Sequence, residues 1–316
     1  MRFRTNIENP VIFQHVVQIF DRMHKKCIVR FTTDEMNLIC TNDLSDGSVQ
    51  VWSQINVSSV FTDYRIQSNA NNNITLTLST EALLAALKSA ASYFSTSATA
   101  GADIVMKLAK KNDQAVLSFE IFGASRTGKQ VKITHDVCIE IMRPNDVEKL
   151  VEPMCPEPEV QIIMPDLIKL KTVVERLRAH SDIIGVYANN SGRLQISSAT
   201  ESVSVKVEWN KLKNPVLSNA TQTQDPSRSG SQTLPNSGSQ PASQQSSQQS
   251  KRDPTQNYGV LVSIKSFLKF INTHLTSTTT IACICQNHAL ILYVYIGEPG
   301  THGGVLTFYV PAIMDE

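Results

Sequence analysis

The sequence predicts an α+β protein of two similar halves, in which antiparallel sheets carry a small number of helices. Three observations lead there. Over most of the chain apolar residues alternate with polar ones, the period of half-buried strands. In only four segments do apolar residues recur three or four apart, the period of an amphipathic helix. The order short strand, helix, several strands also repeats four times, with helices about 70–85 residues apart. That spacing is too long for a solenoid and points to duplicated half-domains.

The first unit has a strand over 2–7 and a helix over 10–25, with strands over 27–31, 36–41 and 49–57. Asn9-Pro10 supplies an N-cap residue followed by Pro at the first helical position. Ile12, Val16, Ile19, Phe20 and Met23 form the apolar stripe. The second unit has strands over 60–67 and 74–78 and a helix over 80–93 with Glu81 in its first turn. Strands over 104–108, 116–122 and 131–141 complete it. The third has a strand over 160–164 and a helix from Pro165-Asp166 to about 180, then strands over 183–187, 193–197 and 203–209. The fourth has a strand over 260–264 and a helix over 265–275, then strands over 279–285, 289–296 and 305–310. Between the second and third units, Pro144, Pro153, Pro156 and Pro158 predict a stretched connector over 143–159, because Pro fixes its own φ and extends the residue before it. The expected domains are therefore 1–142 and 160–316. The second carries a Ser/Gln-rich insert over 218–257, too poor in apolar residues to offset its ordering entropy and read as disordered.

Composition narrows the function. The chain has 316 residues, 41% of them hydrophobic, with 29 Lys+Arg against 28 Asp+Glu. These values exclude a disordered chain, and no apolar run approaches the roughly 20 residues of a spanning helix. The N-terminus alternates and does not read as a signal peptide, so the six Cys read as reduced thiols. A pI of 7.6 lies well below the basic range of freely DNA-binding domains, so any nucleic-acid contact must depend on where the charge sits.

Several segments imitate chemistry. Gly123 to Lys129 matches the phosphate loop G-x-x-x-x-G-K, but Gln130 stands where Ser or Thr should hold magnesium, and a strand follows where a helix N-terminus is required. It reads as a hairpin loop. Thr134-His135-Asp136 has the residue types of a hydrolytic triad, yet neighbours on a strand face opposite ways. Cys283 and Cys285 lack the second pair expected of a zinc site and read as packing. Glu152, Glu157 and Glu159 read as a solvated acidic run. No catalytic constellation, metal site or cofactor site is expected.

Charge placement is more informative. The helices carry Arg22, Lys25, Lys88, Lys169, Lys171, Arg176, Arg178, Lys265 and Lys269 against Asp21, Glu81, Asp166 and Glu175. They hold a net +5 in a chain of net +1, leaving −4 elsewhere. In the third helix Leu167, Leu170, Val174 and Leu177 make the buried stripe, flanked by the rows Lys169/Arg176 and Lys171/Arg178. Charge alone leaves two readings open, a solvated face or a surface offered to phosphates without base reading.

The residue pattern resembles the sliding DNA clamps typified by proliferating cell nuclear antigen, and more narrowly the Hus-one type of checkpoint clamp subunit in the heterotrimeric nine-one-one ring. The block that carries it runs from Glu152-Pro153 through Pro156, Pro158, Val160, Ile162, Pro165 and Leu167. It continues with Lys171, Val173-Val174-Glu175, Ser181, Ala188-Asn189, Gly192, Leu194 and Ile196. Met1-x-Phe3, Thr134-His135-Asp136, Asn214-Pro215 and Phe308-Tyr309-Val310-Pro311-Ala312 agree with it. The likeness covers about 1–217 and 258–313; the Ser/Gln insert departs from compact members.

The resemblance implies helices on the inner face of a ring and antiparallel sheets outside, so that the nine basic residues named above would face double-stranded DNA without reading its sequence. It places subunit joints at two edge strands, 114–122 with Val116, Leu117 and Phe119, and 202–210 with Val203, Val205, Val207 and Trp209. Trp209 reads equally as an anchor or as core. Leu150, Val151, Met154, Val310 and Pro311 are candidate contacts for partner peptides, with connector packing as the other reading. The implied protein is a non-enzymatic nuclear subunit with two different clamp partners of the Rad-type checkpoint ring and a separate ATP-dependent loader. It would act at damage sites in checkpoint signalling and repair. A homotrimeric replication clamp and a nucleotide-hydrolysing enzyme using Gly123–Lys129 are the alternatives.

The insert holds 14 Ser/Thr and 9 Gln, so about three Ser/Thr-Gln pairs are expected by chance, and seven occur. They begin at Thr221, Thr223, Ser231, Ser239, Ser243, Ser247 and Thr255. The resemblance makes this dipeptide, favoured by checkpoint kinases, a candidate phosphorylation platform, with an accident of Ser/Gln-rich composition as the other reading.

Overall fold

A computed structural model describes residues 1–41, 49–96, 103–124, 130–215, 253–271, 277–296 and 303–313. The first half runs β1 (Arg2–Ile7), α1 (Pro10–Met23), β2 (Lys26–Phe31), β3 (Glu35–Cys40) and β4 (Gln50–Asn56). A helical turn, α2 (Val57–Val60), leads to β5 (Phe61–Gln67), β6 (Ile74–Ser79), α3 (Thr80–Thr96), β7 (Asp103–Lys111), β8 (Gln114–Ala124) and β9 (Gln130–Ile141). A second turn, α4 (Pro144–Val147), opens the connector. The other half runs β10 (Val160–Ile163), α5 (Leu167–Leu177), β11 (Ile183–Ala188), β12 (Leu194–Ala199) and β13 (Ser204–Trp209). It ends with β14 (Tyr258–Ser263), α6 (Ile264–Ile271), β15 (Ser277–Cys285), β16 (Ala289–Ile296) and β17 (Val305–Pro311). Each predicted helix and strand is present, with ends shifted by a few residues.

Local chemistry explains the helix ends. Asp166 caps α5 by accepting from the amides of Ile168 at 2.8 Å and Lys169 at 3.4 Å. Asn9 does not cap α1 in this way; its side-chain amide donates to the Ser59 carbonyl at 2.8 Å, and Pro10 alone sets the helix entry. The connector also differs from expectation, because its first part is helical. Arg143 is extended before Pro144, which takes the first helical position with Asp146 in the same turn.

The strands form a 13-stranded sheet in the order β10-β15-β16-β17-β4-β3-β2-β6-β9-β8-β7-β1-β5 and a separate sheet, β13-β12-β11-β14. An internal repeat is visible in the pairing. β1 lies beside β7 as β10 lies beside β15, and β2 pairs with β6 as β11 pairs with β14. Among the described residues the second half shows no counterpart of β5. One ladder unites the halves: β17 pairs antiparallel with β4, from Val305 opposite Gln54 to Tyr309 opposite Gln50.

The core follows the alternation. α1 packs on α3, and α5 on α6. Ring contacts tie helix to sheet, Phe13 with Phe61 at 5.7 Å and Phe270 with Phe308 at 5.6 Å. A smaller cluster of Ile281, Cys283, Cys285 and Ile291 lies on the other face, covered by Cys155 and by Tyr293, Tyr295 and Tyr309. There the connector is fastened down. Tyr309 donates to Glu152 at 2.7 Å, Cys285 to the Pro156 carbonyl at 3.4 Å, and the Gln286 amide to Glu159 at 2.9 Å. The acidic run is thus not wholly solvated as expected, since two of its three carboxylates are anchor points. Burial first, then the bond to Glu152, raises the Tyr309 phenol well above its ordinary pKa.

All six cysteines are free thiols. Burial pushes Cys40, Cys283 and Cys285 up to about 12, so they are inert packing groups at neutral pH. Among the described residues no group of His, Cys, Asp or Glu is placed to hold a metal, and no helix is long and apolar enough to cross a membrane.

Candidate DNA interface and subunit edges

The basic residues named from the sequence sit mostly on exposed helix surface. On α5 the stripe Leu167, Leu170, Val174 and Leu177 is buried, which turns Lys169 and Arg176 outward on one flank. Lys171 is half-buried on the other flank, 3.9 Å from Glu175, and Arg178 caps the helix C-terminus. Arg22 is exposed in the last turn of α1, and Lys88 is exposed on α3. Lys265 is exposed on α6 and lies 4.0 Å from Asp182; Lys269 is partly buried one turn on. Lys25 is exposed but lies past the end of α1, between helix and β2. No base-reading pattern accompanies this set, so what it can do chemically is attract phosphate.

One predicted subunit edge is an edge and the other is not. Among the described residues β13 borders its sheet, with β12 on one side only. Its residues alternate between exposed and half-buried, and Val205 and Trp209 lean on the core while keeping surface. Val203 is exposed just before the strand. β8, in contrast, is interior, laddered to β7 along one side and to β9 along the other. Val116, Leu117 and Phe119 are at most 4% exposed and are core residues, not interface residues. The strand with an open stretch here is β9. Gln130–Cys138 pairs with β8, but only Ile139–Ile141 continues onto β6, so among the described residues the first nine positions have a ladder on one side alone.

Alternation in the sequence does not reveal this. β9 reads Val131-Lys132-Ile133-Thr134-His135-Asp136 and β13 reads Val205-Lys206-Val207-Glu208, both with charged or polar residues at every second position, a pattern shared by any strand with one wet face. Residues Val116 to Phe119 are buried on both faces, which an edge open to solvent does not produce.

The remaining candidates separate clearly. Val151 and Met154 are 67% and 91% exposed on the connector, Leu150 and Pro311 are half-buried, and Val310 is fully buried and cannot meet a partner. Gly123 and Ala124 end β8 and Gln130 begins β9 directly opposite Ala124, so a strand and not a helix follows the glycine-lysine motif. Residues 125–129 lie outside the described residues. Thr134 and Asp136 face away from His135, and Asp136 is bound to Lys111 at 2.6 Å, so no triad assembles. Of the seven Ser/Thr-Gln sites, six lie outside the described residues. Thr255 is exposed and its hydroxyl donates to Asp253 at 2.6 Å.

Four helices in two pairs, against a sheet that runs unbroken from one half of the chain into the other, define the fold of proliferating cell nuclear antigen. The crystal structure of that antigen from Entamoeba histolytica superposes with a TM-score of 0.65 at 12% identity, covering 99% of both chains. A family model described as Hus1-like protein matches residues 1–314, and the chain belongs to that family. It is 32% identical to the checkpoint protein hus1 of Schizosaccharomyces pombe over the whole of both chains. It is 29% identical to the human checkpoint protein HUS1, over 71% of this chain and 79% of the human one.

Proposed function

We propose that this chain is one subunit of a heterotrimeric sliding clamp that encircles duplex DNA at sites of damage in the nucleus and acts as a scaffold for checkpoint signalling and repair. It works with two different clamp subunits and an ATP-driven loader, and contributes no catalysis of its own. Family membership supports the checkpoint role, and the fold supports the clamp. One observation carries the ring. Within the chain the last strand of the second half, β17, is zipped to β4, the last of the three strands that follow the first half's opening helix. The repeat makes β9 the equivalent of β17 and β13 the equivalent of β4, and each of these is left with an open edge. Joining β9 of one subunit to β13 of the next repeats the internal joint around a circle. Exposed Val151 and Met154 offer partner peptides an apolar contact on the connector.

Native mass measurement of the purified chain tests the assembly. The chain alone should remain short of a ring and close only with two other subunits; a three-fold ring of this chain alone would instead make it a homotrimeric clamp. Cys138, exposed at the end of the open stretch of β9, gives a second reading. It should react readily with iodoacetamide in the free chain and at least about tenfold more slowly in the ring; equal rates would place the joint elsewhere.

The insert serves as the phosphorylation platform. Each phosphate adds roughly −1.5 to −2 charges to a Ser/Thr-Gln site. Mass spectrometry after DNA damage should find several of the seven sites modified, and finding none would remove this role.

A further inference from the structure

The solvent face of the β1–β5 corner is rich in cations. Arg2 and Arg4 alternate with buried Phe3 and Thr5 along β1. Arg65 stands directly opposite Arg4 across one ladder, and Lys107 opposite it across the other. The three arginines are exposed, and among the described residues none has a carboxylate within 4 Å. Neighbouring acids are already engaged. Glu120 is shared between Lys107 at 3.0 Å and Lys132 at 2.9 Å, and Asp63 accepts from Asn6 at 3.3 Å. Like charges facing each other across an antiparallel pair weaken it, so within the row Lys107–Arg4–Arg65 the facing pair Arg4 and Arg65 costs stability until an anion lies over it, whereas Lys107 already has Glu120.

Two more features say what kind of anion fits. Among the described residues β5 is the last strand of the 13-stranded sheet, with only β1 as a neighbour. A bulge at Asp63, whose φ is 48°, limits its straight stretch to Tyr64–Gln67. Alternate residues of an antiparallel strand turn both N–H and C=O to the same side, so two of these four residues present unpaired peptide groups outward. An open cleft of about 900 Å³ runs along this corner, lined among others by Arg2, Arg4, Tyr64, Arg65, Gln67 and Asn72.

We propose that this corner docks an extended acidic segment of a partner protein, which adds as a short strand beside Tyr64–Gln67. Its carboxylates, two residues apart, meet Arg65 and then Arg4 and Arg2. The spacing suits this arrangement: same-face residues of a strand lie about 6.6 Å apart, and the added chain would run about 5 Å from β5 and about 10 Å from β1, within reach of arginine side chains. Main-chain bonds would give affinity and the arginines selectivity. Duplex DNA fits less well. The row lies on the sheet face opposite buried Phe3 and the partly buried Tyr64 and Ile66, and a duplex leaves the open peptide groups of β5 unused.

The test measures fluorescence polarisation of a labelled peptide of alternating glutamate and valine titrated with the full chain. Saturable binding is expected, weakened at least about tenfold by Arg4→Gln with Arg65→Gln, and by about as much on N-methylation of the peptide backbone. A lysine-valine peptide should not bind. The melting curve of the double variant serves as the folding control; if it falls, Arg2→Gln alone supplies the same readout. Affinity unchanged by these substitutions overturns the site. Equal binding of the N-methylated peptide overturns strand addition, and binding of a phosphoserine-valine peptide but not of the glutamate peptide overturns the carboxylate assignment. A short duplex held through these arginines while the peptide stays free overturns the choice of partner.

Discussion

Reversing Lys169, Lys171, Arg176 and Arg178 to Glu is expected to lower duplex retention by the assembled clamp at least about tenfold at physiological salt. The slope of log affinity against log salt should become shallower by roughly 3 to 4, since each lost phosphate contact removes about 0.9. Retention measured on circular DNA, where a ring cannot slide off, isolates loading from sliding. The substitutions carry a folding cost of their own. Arg176 and Arg178 sit at the helix C-terminus, where a negative charge opposes the backbone dipole by about 0.3–1 kcal/mol each. Lys171→Glu would also set like charges four residues apart beside Glu175. A parallel set of four Gln substitutions removes the charge without that penalty and should give the smaller but same-signed loss. Wild-type retention in both sets would sink the inner-wall assignment of α5.

Phe308→Ala should cost about 3–5 kcal/mol of unfolding free energy, the ordinary range for emptying a large aromatic site in a packed core. Phe308 is fully buried on β17, packs edge-on against Phe270 of α6, and stands opposite Val51 in the ladder that unites the halves. The cavity would therefore loosen helix, sheet and joint together. Denaturant titration at constant temperature provides the check, and a loss below about 1 kcal/mol would show that the joint does not depend on this ring. Phe308→Leu, which refills most of the space, should cost much less.

Much of this architecture was legible in the sequence because antiparallel sheets with one wet face write their period plainly. Leu167, Leu170, Val174 and Leu177 announce a helix and its buried side, and the structure agrees. What stayed hidden was the in-plane neighbourhood of each strand. Alternation reports the two faces of a sheet, whereas hydrogen-bond partners lie at its sides, so β8 passed for an edge when β9 was the strand with one side open. Burial of Ser118 together with Leu117 and Phe119 was the missing clue, and it appears only after the chain has folded. Anchoring of the connector was hidden for a similar reason, because Glu152 and Tyr309 meet across 157 positions of sequence. The corner of Arg2, Arg4 and Arg65 became visible only when register set residues 61 positions apart side by side.

The ladder between β17 and β4 has a further meaning for assembly. A seam inside one polypeptide re-forms at the high local concentration its tether imposes, whereas the same seam between separate polypeptides depends on their abundance. Any force that parts the proposed ring should therefore act between chains and leave each subunit whole. Peptide groups are also alike in every protein, so the choice of neighbour cannot reside in the zipper itself. It must be written in the few side chains that fringe it, and exchanging those beside β13, the proposed joint, would be the direct way to persuade this subunit to accept a different companion.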